Sequence, residues 1–104
     1  MPPEIDDTDA ERIAKELVLS FARNPNNNIG QAQYLVDKYK NGVNILDYSP
    51  AELVGNQKIQ ETLIQEFSKV KVHFKEIKPE DVNSKLFIEE LDLVFRLGRN
   101  KLGI

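Results

Sequence analysis

Ala10, Ile13, Ala14, Leu17, Val18, Phe21 and Ala22 recur three and four residues apart, the spacing of one apolar helix face. Thr8-Asp9-Ala10-Glu11 in front of them reads as a capping box: the Thr hydroxyl accepts from the backbone three residues on, and the Glu reaches back. A first helix is therefore predicted over about 8–23. Asn24-Pro25-Asn26-Asn27-Asn28 ends it, because proline biases Asn24 away from helical angles and asparagine favours turns. Ile29, Ala32, Leu35, Val36 and Tyr39 then predict a second helix over about 29–41, with Gly42 as a left-handed stop.

Val43–Tyr48 reads as extended chain or loop. Ser49-Pro50-Ala51-Glu52 is a second capping box, with proline at the first helical position where its missing N–H costs nothing. The stripe Ile59, Leu63, Phe67, Val70, Phe74 and Ile77 carries a third helix over about 50–77, weakened early by Gly55, which is a candidate break. Residues 69–75 also alternate at period two, which is the pattern of a half-buried strand. Pro79-Glu80-Asp81 is a further start signal, and a fourth helix is predicted over about 79–97. Gly98 closes that helix, and Arg99 and Lys101 sit favourably at its negative end.

The fold class that follows is mainly α: a single domain of about four helices, with residues 1–7 as a flexible arm. The alternative is an α+β fold with short strands at about 43–48 and 70–77. That element order resembles the opening of NTF2-like cone folds over residues 8–77. The chain is too short for the remaining sheet of such a cone, and no function is taken from the resemblance.

Composition fits a globular domain: 104 residues, 40% hydrophobic and 30% charged, with five Gly and five Pro. No cysteine is present, which excludes disulfide scaffolds, cysteine-ligated zinc, iron–sulfur clusters and thiol catalysis. With His73 the sole histidine, one chain cannot build a site from several imidazoles. The acidic start, Met1 to Asp7, resembles neither a secretory signal nor a mitochondrial presequence, and no apolar run is long enough for a membrane span. A soluble, cytoplasmic protein is the expectation.

The net charge of −3 is unevenly spread. Residues 1–52 hold nine acids and five bases, whereas residues 53–104 hold eight acids and nine bases. Lys69, Lys71, Lys75 and Lys78 stand against Glu76 alone, and Arg96, Arg99 and Lys101 follow in the last helix. These seven are candidate contacts for nucleic-acid phosphates or for an acidic partner. A solvated face is the simpler account of the lysine stripe, because no Arg or aromatic residue is interleaved there to read or stack bases.

The search for chemistry finds no phosphate-cradling glycine loop, zinc helix or nucleophile elbow. Asp6, Asp7 and Asp9 are better explained by the start of a helix than by a cation, which wants six or more oxygens. His73 falls among lysines, away from the apolar stripe, where a general base would lack an orienting partner. Asp47 and Tyr48 lie just before a capped helix, as functional loop residues often do, but turn formation and core contact explain them too. Glu89, Glu90 and Asp92 share one helix and cannot oppose each other across a cleft. Tyr34, Asp47, Tyr48 and His73 would matter catalytically only in the α+β alternative. No catalytic residue, metal site or cofactor is assigned.

The last helix is apolar over most of its circumference, more than a bundle of four short helices can cover. Leu86, Leu93 and Leu97 are its candidate protein-binding residues. The expected function is a non-catalytic protein–protein interaction module, a subunit, adaptor or assembly factor, with a protein partner or further copies of itself. The alternatives are nucleic-acid binding through the basic stripe 69–78 and a small α+β enzyme or ligand-binding domain.

Overall fold

Short polar side chains decide where each helix begins. In the computed structural model, which describes residues 4–70, 79–82 and 84–104, the Asp6 carboxylate accepts from the Asp9 N–H at 2.8 Å. Helix α1 therefore spans Asp7–Arg23. The expected cap at Thr8 is displaced by two residues: Asp caps at least as well as Thr, and Asp6 stands first in line. Asn27 caps α2 (Asn28–Lys40) through the Gly30 N–H at 2.9 Å. That helix ends at Asn41, and Gly42 follows at φ +93° as its spacing foretold.

The third predicted helix is two helices. Ser49 and Glu52 form the expected capping box on α3, but α3 (Pro50–Gly55) stops after six residues. Asn56 takes extended angles, φ −79° and ψ 123°, and its side chain accepts from the Ile59 N–H at 3.0 Å to begin α4 (Gln57–Lys69). One residue thus closes one helix and opens the next. Gln60 Nε2 spans the break, donating to the Val54 carbonyl at 2.6 Å that the end of α3 leaves free.

Helix α4 ends at Lys69, and Val70 is already extended, so the predicted span to residue 77 is too long. Residues 71–78, where the helix-or-strand question was sharpest, lie outside the described residues. Pro79–Asp81 forms a single 3-10 turn. The last helix, α5 (Lys85–Leu102), begins six residues later than its proline suggested, because Ser84 accepts from the Phe87 N–H at 3.2 Å and is the cap. Ser84 has no Glu or Gln three residues on, so it lacks the signature that marked Ser49.

Among the described residues there is no strand, and the fold is mainly α. Ile45–Asp47 is a 3-10 turn where the α+β alternative required a strand, and the cone-like element order is therefore not present at 43–48. Ile45 and Leu46 point into the core, which is the task a β-branched run can perform without pairing. Helix α1 packs along α4 and α2, α2 packs along α5, and α3 bridges α4 and α5.

Phe21, Phe67 and Phe87 meet at one end of this core with centroids 6.0–6.3 Å apart, in tilted and edge-on geometry. They tie α1, α4 and the first turn of α5. At the other end Gly98 is buried within α5 rather than closing it. A Cβ there would meet Leu46 Cδ1 at 3.1 Å and Val36 at 3.7 Å. The missing side chain lets α5 approach the 45–47 turn and α2. The stop falls instead at Gly103, φ +73°, whose N–H donates back to the Arg99 and Asn100 carbonyls. Of the arm expected over 1–7, Ile5 packs on the core, Asp6 caps α1 and Asp7 is helical.

Candidate functional site

Helix α5 has two apolar faces. Phe87, Leu91, Val94 and Phe95 are buried, and Gly98 continues their line into α2. Leu86, Leu93 and Leu97 fall within about 40° of arc on another side, since 3.6 residues make a turn. Leu86 is 74% exposed and Leu93 43%, while Leu97 is half-buried.

Ile29 completes this surface from α2. The spacing of α2 assigns it to the buried face, yet it is 67% exposed. It lies in the first turn of α2, at the mouth of the space between α2 and the last turns of α5. Ile29 and Ala32 form one wall of a groove of about 310 Å³, and Leu97, Asn100 and Lys101 form the other. Lys101 Nζ donates to Gln33 Oε1 and helps hold the two helices at this end.

Of the seven candidate basic residues, the four that the structure describes are not gathered into one surface. Lys69, at the end of α4, pairs with Glu66 at 2.8 Å. Lys71, Lys75 and Lys78 lie outside the described residues. Arg99 is turned inward, donating to the Leu46 carbonyl at 3.4 Å and the Tyr48 carbonyl at 3.3 Å, with its guanidinium 5.8 Å from the Phe95 ring centroid. Arg96 is exposed on another side of α5. Arg99 thus serves as a clamp on the 45–47 turn, a role that its place in the last turn of a helix did not reveal.

Among the described residues, the candidate chemical side chains are likewise held apart. The Tyr34 hydroxyl donates to Glu16 Oε2 at 2.8 Å, and Lys38 Nζ lies 3.4 Å from the same oxygen. The Arg23 guanidinium and the Lys38 ammonium stand 5.7 and 5.3 Å from the Tyr34 ring centroid. Burial, then the bond to Glu16, pushes the Tyr34 hydroxyl up to about 12. A tyrosine so placed stays neutral and ties α1 to α2; it is a poor base or nucleophile. Tyr39 donates to Asp47 Oδ1 at 2.8 Å, and that bond, more than its slight desolvation, raises the Tyr39 hydroxyl above its usual range. Tyr48 is buried, and burial raises it too. It borders a shallow depression with Glu4 and Glu52 that includes neither Tyr34 nor Asp47. His73 lies outside the described residues.

Among the described residues, no group of three His, Asp or Glu side chains is placed to hold a metal ion. Asp6 is occupied as a helix cap, and Asp9 pairs with Arg12. No helix among them is long and apolar enough to cross a membrane. What the described surface does assemble is the outer face of α5 with Ile29 and its groove. No family model, curated protein or solved structure matches this chain.

Proposed function

We propose that this chain is a small, non-catalytic, cytoplasmic protein–protein interaction module whose binding surface is the outer face of α5. The observation that carries the reading is the alignment of Leu86, Leu93 and Leu97 on one side of a well-capped helix, with exposed Ile29 across the groove. Apolar area left in water forgoes about 25 cal/mol per Å², and a contiguous exposed patch is the ordinary mark of a contact surface. The helix beneath it is rigidly seated by Phe87, Leu91, Val94 and Phe95, so the patch is presented in one shape. Arg99 is committed to backbone carbonyls, which favours the protein reading over a nucleic-acid one.

The test places a photo-crosslinking side chain at Leu93 of the full chain in its source cell, with Glu61 on α4 as an exposed control position. The expected result is a discrete adduct from position 93 and none from position 61. Leu97→Asp should abolish the adduct while far-UV circular dichroism keeps its helical signal. Equal or absent labelling at the two positions would overturn the reading.

A further inference from the structure

We infer that the occupant of this surface is a second copy of the chain, with the two α5 helices packed antiparallel about a two-fold axis beside Leu93. This rests on the outer face of α5 being the binding surface, and it names the partner. An isologous contact needs every knob to have its hole, and every charge its opposite, at equal distances on either side of the dyad. The outer face of α5 meets that condition. Leu86, the most exposed large apolar residue among those described, lies seven residues before Leu93, or about 10 Å along the axis at 1.5 Å per residue. The groove between Ile29 and Leu97 centres on residues 97–101 of α5, about 10 Å beyond Leu93 on the other side. A two-fold axis at Leu93 therefore sets Leu86 of each copy over the groove of the other, with the two Leu93 side chains in contact between them.

The charges repeat this symmetry. Glu89 and Arg96 are both exposed, and they lie within about 20° of each other along one edge of the apolar stripe. Their midpoint falls between residues 92 and 93, beside the same axis. In antiparallel packing about that axis, like edges adjoin, so Glu89 of each copy faces Arg96 of the other. A parallel arrangement, with its two-fold axis along the helices, would carry these edges to opposite rims and leave neither Glu89 nor Arg96 facing its counterpart. Rim pairs of this kind contribute more to register than to affinity.

The experiment is sedimentation equilibrium of the full chain over a range of micromolar concentrations, on the wild type, Glu89→Arg, Arg96→Glu and the double variant. Both positions are exposed on a helix, so each variant should keep the helical circular dichroism of the parent. The wild type is expected to dimerise reversibly. Each single exchange makes two like-charge contacts per dimer and should raise the dissociation constant about tenfold. The double variant should return to the wild-type value, and an equimolar mixture of the two single variants should associate as a heterodimer. A wild type that is monomeric throughout would overturn the inference, as would a dimer indifferent to the exchanges. A monomer that still gives a position-93 adduct to a different chain would sink the second copy and leave the interaction surface standing. The absence of both would remove both.

Discussion

The inner and outer faces of α5 have the same chemistry and opposite fates. Phe87, Leu91, Val94 and Phe95 on one side are almost wholly removed from water; Leu86 and Leu93 on the other stand in it. Leucine occurs on both. The difference lies in what surrounds the helix: α2, α3 and the 45–47 turn supply walls on one side only. A small bundle cannot cover every apolar helix face, so the hydrophobicity of a residue states its preference while the neighbouring backbone decides whether it is met.

The contrast can be broken most sharply from the inside. Phe95→Ala should cost about 3–5 kcal/mol, because Phe95 is fully buried and the site is enclosed by rigid helices that cannot collapse into the void. Urea unfolding monitored by circular dichroism would measure it, and a loss below about 1 kcal/mol would mean that the inner face is not the core. Gly98→Val comes next. The close approach of Leu46 and Val36 leaves room for no branched side chain, so the expected loss is about 1–3 kcal/mol, read in the same titration.

A gentler comparison is between the bare outer face of α5 and the half-covered aromatic face of α2. Tyr34 is shielded by Arg23 and Lys38 and bonded to Glu16, whereas Leu93 is left exposed. Its raised hydroxyl has a consequence for alkaline stability. The native state holds the Tyr34 proton to about pH 12, and the unfolded chain releases it near the ordinary tyrosine value of about 10. The contribution is therefore complete below pH 10 and is lost as pH rises from about 10 toward 12. Denaturant titrations across that window should show the wild type losing more stability than Tyr34→Phe. Identical slopes would place the phenol in ordinary solvent.

The smallest effect belongs to the outermost residue. Leu86→Gln should change the unfolding free energy of the monomer by no more than about 0.5 kcal/mol, since the side chain removes little area from water on folding. Measured at a concentration low enough to suppress association, a much larger loss would show that Leu86 is core after all, and the two faces would cease to differ.

Much of this architecture is written locally. The periodicity of residues 10–22, the Asn-rich break, the Ser49–Glu52 box and Gly42 each predict a boundary or face that the fold contains, because each depends on contacts within a few residues. Several boundaries were harder to read for the same reason. Asp6 against Thr8 and Ser84 against Pro79 are choices between two adequate caps, and a single chain of letters does not rank them. Asn56, which splits the third helix beside the weak point at Gly55, is a capping signal without a box.

The rest was settled only when helices met. Gly98 resembles a helix stop in sequence, and the approach of Leu46 and Val36 makes it an interior contact. Arg99 resembles a surface cation, and the carbonyls of Leu46 and Tyr48, some fifty residues away in the chain, make it a clamp. Ile29 carries the spacing of a core residue, and the gap left between it and Leu97, Asn100 and Lys101 of α5 makes it one wall of a groove. The sequence by itself determined that the chain is helical, where most of its turns fall and that its last helix is too apolar for one buried face. Which of the leucines of α5 would face water, and what would stand beside them, depended on contacts between segments distant in the chain, and local pattern holds no information on those distances.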